Sequence, residues 1–178
     1  MIARRTFLTG LAAGVSAPVA SAHTLYPQWV AYRRKHLLIG CHRKDNETYR
    51  LAERLVAEIN HALPKAKARA ARAPHPQRLA SLIGTDQMEV AVLGRDEALE
   101  MRAGQGRFAP YGKLNLMALA GFGDHVLVAD AGFPDRHAWM VRAALEGTDL
   151  KRRAAVLELH PGARAQQDGV PLSELPGE

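Results

Sequence analysis

Residues 38–55, "LIGCHRKDNETYRLAERL", run from an apolar stretch through a glycine and a polar loop into a helix. "HLLIG" reads as a buried strand ended by Gly40. Beyond Asn46, the residues Tyr49, Ala52, Leu55, Val56, Ile59 and Leu63 recur at three- and four-residue spacing. Glu53, Arg54 and Glu58 take the opposite face, and Pro64 stops the helix. The loop between strand and helix therefore sets a thiol, an imidazole and two cations at a helix start.

The same alternation continues along the chain. "KAKARAARA" (65–73) alternates small apolar with basic residues and suits a strand with one wet face. Pro76 opens a second helix with Leu79, Leu82 and Ile83 on its apolar side and Gly84 as its stop. "MEVAVLG" (88–94) reads as a buried strand, and "RDEALEMRAG" (95–104) as a short helix. "GQGRFAPYGK" is a loop, and "LNLMALAGFGDHVLVAD" gives two strands broken around Gly121-Phe122-Gly123-Asp124. "PDRHAWMVRAALEG" (134–147) is a further helix, with Ala138, Val141 and Leu145 facing inward. Residues 151–178 are polar, rich in Pro and Gly, and read as a partly flexible tail. Strands alternating with helices predict an α/β domain with a mostly parallel sheet flanked by helices. In such a sheet ligands sit outside the carboxyl ends of the strands. That rule sends the quoted loop, "APHPQ" and "LGRDEA" to one rim.

The first 22 residues have another logic. Arg4 and Arg5 precede Phe7 and Leu8, then a short alanine-rich apolar segment ends in Ala20-Ser21-Ala22. This is the layout of a twin-arginine translocation signal peptide cleaved after Ala22, which predicts export to the periplasm. Cleavage would leave 156 of the 178 residues, with 22 Lys and Arg against 18 Asp and Glu. That excess is too small to argue for nucleic acid. Residues 23–36 form an aromatic lead-in arm carrying Tyr26, Trp29 and Tyr32, and residues 37–150 form the α/β lobe. Cys41 is the only cysteine, so no internal disulfide can form.

Three stretches resemble the TAXI family of periplasmic solute-binding proteins, which serve TRAP-type transporters. They are "LLIGCHRKDNETYRLAERLVAEIN" (37–60), "MEVAVLGRDEALEMRAG" (88–104), and "VLVADAGFPDRHAWMVRAALEG" (126–147) followed by "LHPGA" (159–163). The resemblance implies one lobe of a periplasmic-binding-protein type II-like fold. It also implies a small carboxylate as solute and a TRAP-type membrane transporter as partner. Family members have two lobes with the ligand between them. The resemblance implies a shortened, single-lobe relative, with the second lobe missing between Ala131 and Pro134.

Three readings of the rim remain open. An anion site would use the helix start with His42 and Arg43 as contacts and Asn46 and Thr48 as caps, while Arg95 clamps a carboxylate. Cys41 and His75 complete that candidate set. A copper or zinc site would use Cys41, His42 and His75, although no paired-ligand spacing supports it. A third reading has no small ligand: the lobe docks another periplasmic protein or forms a homodimer. No G-x-S-x-G, H-E-x-x-H, CxxC or phosphate-cradling glycine loop is present, so neither an enzyme nor a cofactor is expected.

Overall fold

The alternation along the strand that opens the lobe decides which residues meet which helix. The computed structural model describes residues 35–148, 152–153 and 156–176. The signal segment and the aromatic residues of the lead-in arm lie outside them. Strand β1 is Leu38–His42, so it runs through Gly40 and includes Cys41 and His42. The expected strand stop at Gly40 is thus corrected. A Cβ there would lie 2.2 Å from the Met88 sulfur and 2.9 Å from Leu79, so the glycine serves close packing inside the strand.

Helix α1 (Asn46–Ala62) is capped by the Asp45 side chain and buries Thr48, Ala52, Leu55 and Ile59. A single 3-10 turn (Pro64–Ala66) precedes β2 (Arg69–Ala73), so only the second half of the basic alternation is strand. Asn60 holds the entry to β2 by bonding both the N–H and the carbonyl of Ala68. Helix α2 (Pro76–Ile83), β3 (Val90–Gly94) and α3 (Arg95–Ala103) follow where the pattern places them. Then come β4 (Leu116–Phe122), β5 (His125–Asp130), α4 (Asp135–Ala144) and the short β6 (Arg152–Arg153).

The strands form one sheet in the order β2-β1-β3-β5-β4-β6. β1 pairs parallel with β2 and β3, while the β3–β5, β5–β4 and β4–β6 pairings are antiparallel. The sheet is therefore mixed rather than mostly parallel. The cause is the two-residue turn Gly123-Asp124, with Gly123 at φ 55°. Such a turn can only reverse the chain, because a parallel return needs a crossover of about a dozen residues. β5 starts beside Gly94, at the carboxyl end of β3, and ends where the Asp130 N–H bonds the Glu89 carbonyl. Residues 131–134 consequently lie at the opposite end of the sheet from the rim.

Both faces are covered. Cys41, Leu127 and Ala129 pack with Leu55, Ile59, Ala138 and Val141 under α1 and α4. Leu93, Val126 and Val128 pack with Leu79, Ile83, Ala98 and Met101 under α2 and α3. The tail, expected to be polar and partly flexible, contributes helix α5 (Pro161–Gln167). Its Gly162, Ala163 and Gln166 are buried, and it is tied to α4 by Arg142, which donates to the Leu119 carbonyl and to Gln167. Trp139 donates to the Val170 carbonyl beyond it.

His160, at the start of α5, is 1 % exposed and sits 3.4 Å from an Asp135 carboxylate oxygen. Burial pushes its pKa below the ordinary 6.5, against an upward pull from Asp135. The folded state thus refuses a proton that the unfolded chain accepts near pH 6.5. This contribution to stability is complete above that pH and is lost as pH falls through the window below it. Thermal melts from pH 7.5 to 5.5 should show a falling midpoint, and a His160→Gln variant should show a flatter slope. Equal slopes would remove His160 as the cause.

Candidate functional site

A strand turns successive side chains to opposite faces, and this separates two residues that adjoin in sequence. Cys41 points into the core beneath α1, whereas His42 points toward α3. The Cys41 thiol lies 3.7 Å from the Ala71 carbonyl, and burial pushes its pKa up to about 11, with Arg72 pulling it down slightly. It is therefore protonated and shielded rather than presented to a ligand.

β1 and β3 are neighbours, yet β1 leads to α1 on one face and β3 to α3 on the other. This is a topological switch point, where a doubly wound sheet opens a crevice at its carboxyl edge. An open recess of roughly 600 Å³ lies there, lined by His42, Lys44, Asp45, Gly94, Arg95, Asp96, Glu97, Arg107 and Asp124. The reversed β5 brings its Gly123-Asp124 turn to the same rim, and the Asp124 carbonyl accepts the Arg95 N–H at 3.0 Å.

A chain of polar and charged groups crosses the recess. His42 Nε2 lies 3.1 Å from Glu97 Oε2, and Arg107 donates to Glu97 Oε1 at 3.0 Å. His42 and Glu97 are buried, whereas the Arg107 side chain is 45 % exposed. Nδ1 of His42 is buried and has no hydrogen-bond partner. Glu97 sits in the first turn of α3, where a carboxylate is favoured by the helix dipole. The α3 N-cap is Gly94, which has no side chain to bond the first-turn N–H groups.

The second helix start at the rim is already occupied by its own chain. Asp45 accepts from the Glu47 and Thr48 N–H groups and lies 3.3 Å from His125 Nε2. Partial burial pushes the Asp45 pKa up, but these amides and His125 outweigh it and hold the carboxyl below its ordinary value. The expected capping roles of Asn46 and Thr48 are corrected here, because Asp45 is the cap. Thr48 donates back to the Asp45 carbonyl, and Asn46 accepts from Arg72.

Of the candidate residues, His42 and Arg95 line the recess, while Cys41, Arg43, Asn46, Thr48 and His75 are not among its lining residues. His75 caps α2 through Nδ1, which accepts the Arg78 N–H at 3.2 Å. The metal reading is not assembled: among the described residues no group of three or more His, Cys, Asp or Glu is arranged to hold an ion. Glu97 and Arg107 were not picked out by sequence reasoning. Glu97 reads as an exposed first-turn acid and Arg107 as a loop cation, and 55 residues separate His42 from Glu97. No helix in the described residues is long and apolar enough to cross a membrane. No protein-family model matches the chain, and no curated protein matches it.

Proposed function

We propose that the protein is an exported, non-enzymatic binding protein that takes a small carboxylate-type anion in the recess between β1 and β3. The observation that carries this reading is the gathering of Lys44, Arg95 and Arg107 around the N-terminus of α3, whose cap has no side chain. Helix N–H groups and guanidinium forks are the two protein devices best matched to a carboxylate. Four acids share the recess with these three cations: Asp45 is engaged by the α1 amides and His125, Glu97 by His42 and Arg107, and Asp96 and Asp124 are the other two. In this reading Glu97 holds one side of the Arg107 fork, and the exposed side of Arg107 meets the ligand. Arg95 and Lys44 add charge at the mouth. Likeness to TAXI solute-binding proteins supports the same ligand class and a TRAP-type transporter as the downstream partner. The paired arginines and short apolar segment of residues 1–22 support the periplasm as its place of action.

Titration calorimetry with acetate, succinate and glutarate at low ionic strength tests the site. At least one acid should bind saturably, and Arg95→Ala and Arg107→Ala should each weaken it about tenfold, the loss of one charge-assisted contact. Circular dichroism should show both variants folded. If both variants bind as the parent does, the recess is not an anion site.

A further inference from the structure

A second surface stands apart from the recess. β2 is the terminal strand of the sheet and pairs only with β1 among the described residues. The Arg69 N–H bonds Leu37 and the Ala73 carbonyl accepts from Arg43, so the odd-numbered residues of β2 turn their backbone toward β1. Ala70 and Arg72 therefore present N–H and C=O outward. Beside this edge, an open groove of roughly 600 Å³ runs between α1 and β2, walled by Tyr49, Val56, Asn60, Lys67 and Ala70. Lys67 and Arg69 line it, and Arg72 in β2 and Lys65 in the turn before β2 are exposed as well. Arg72 lies over the Tyr49 ring at 4.2 Å, and Glu53, the acid in the groove, accepts from the Tyr49 hydroxyl.

We propose that this edge is a docking site for an acidic, extended segment of another protein, which adds to the sheet as a strand next to β2. Main-chain pairing would supply affinity, and the flanking cations would supply selection. Charge decides the occupant. Cations on an edge strand normally keep sheets apart. Here they oppose a second copy, whose own β2 would bring like charges face to face. The chain's own lead-in arm is disfavoured for the same reason, since it ends in Arg33-Arg34-Lys35. A segment with carboxylates meets both requirements. Arg72 projects on the α1 face with Ala70, and Arg69 on the other, so acids on either side of the added strand find a partner.

The test uses a fluorescein-labelled ten-residue peptide of alternating Glu and Val, with the Lys–Val peptide as its counterpart. Anisotropy at low salt should show saturable binding of the Glu peptide, weakening as salt rises, and none of the Lys peptide. In ¹⁵N–¹H spectra the Ala70 and Arg72 amides should shift and gain protection from exchange. Ala70→Pro removes an outward N–H without touching the β1–β2 ladder, a position where an edge strand tolerates proline. It should keep the fold and bind the Glu peptide about tenfold more weakly. Lys65→Glu with Arg69→Glu should abolish binding of the Glu peptide and admit the Lys peptide. The proposal is overturned if Ala70→Pro binds as the parent does, because the contact would then be elsewhere on the basic surface. Concentration-dependent dimerisation that Ala70→Pro abolishes would also overturn it, by making a second copy the occupant.

Discussion

Gly162→Ala should cost about 3 kcal/mol of stability, at the upper end of what one added core methyl does. A Cβ at Gly162 would lie 1.9 Å from the Asp135 carbonyl oxygen and 2.6 Å from its carbon. Both are backbone atoms at the start of α4, so no rotamer change relieves the clash. The two helices would have to separate, and the Gly162 N–H would lose the Asp135 carboxylate it bonds at 3.2 Å. In a chain of this size the loss corresponds to a fall of roughly 6–12 °C in Tm. Urea unfolding should move its midpoint while keeping its slope. Gly132→Ala is the control, because its Cβ would meet only the Asp130 side-chain oxygen at 3.1 Å, and it should cost under about 1 kcal/mol. Equal losses in the two variants would show that the α4–α5 approach is not tight.

Phe108→Ala should have an effect at least as large, and at a distance. Phe108 is fully buried in the core beneath α2 and α3, on a 3-10 helix (Gly106–Tyr111) where a loop was expected and whose other residues are exposed. Truncating a buried phenylalanine costs roughly 3–5 kcal/mol, a large part of the stability of an ordinary domain. Arg107 precedes it, and its guanidinium carbon lies 5.1 Å from the Phe108 ring. The anchor that holds this 3-10 helix thus also positions the cation that reaches Glu97. Loosening it should weaken anion binding as well as stability, whereas Phe108→Leu should keep most of both. Calorimetry at a temperature where both variants are folded separates the two effects. If Phe108→Ala binds acids as tightly as the parent, Arg107 takes no part in the site.

The order of the strands and longer helices through α4 was legible because each carried its own period and its own punctuation, whereas α5 lay hidden in a stretch whose Pro and Gly read as a tail. Ala52, Leu55 and Ile59 lie on the buried side of α1, and Pro76 and Gly84 bound α2. Strand direction was not carried by any residue pattern. β5 is as apolar as a parallel strand, and only the shortness of the Gly123-Asp124 turn shows that it must run backward. Gly40 misled for a different reason: glycine ends many strands, but here it makes room for Met88 and Leu79, and the strand runs on to His42. That shift of two residues decides the site, since it sends Cys41 to the core and His42 to the recess. The site was half legible. His42 and Arg95 were found from strand ends, while Glu97 and Arg107 meet them only through tertiary packing, for which local sequence has no signal.

The backward course of β5 also bears on how such a lobe could grow. The β4–β5 turn is a short surface reversal whose two ends are already adjacent, so inserted sequence there need not disturb the sheet. A domain spliced in at Gly123-Asp124 would stand directly over the recess, joined to it by two neighbouring strands that could bend together as a hinge. The same domain placed at residues 131–134 would hang from the far end of the sheet, away from the recess. A closing domain therefore has its natural seam at the hairpin and not beyond β5.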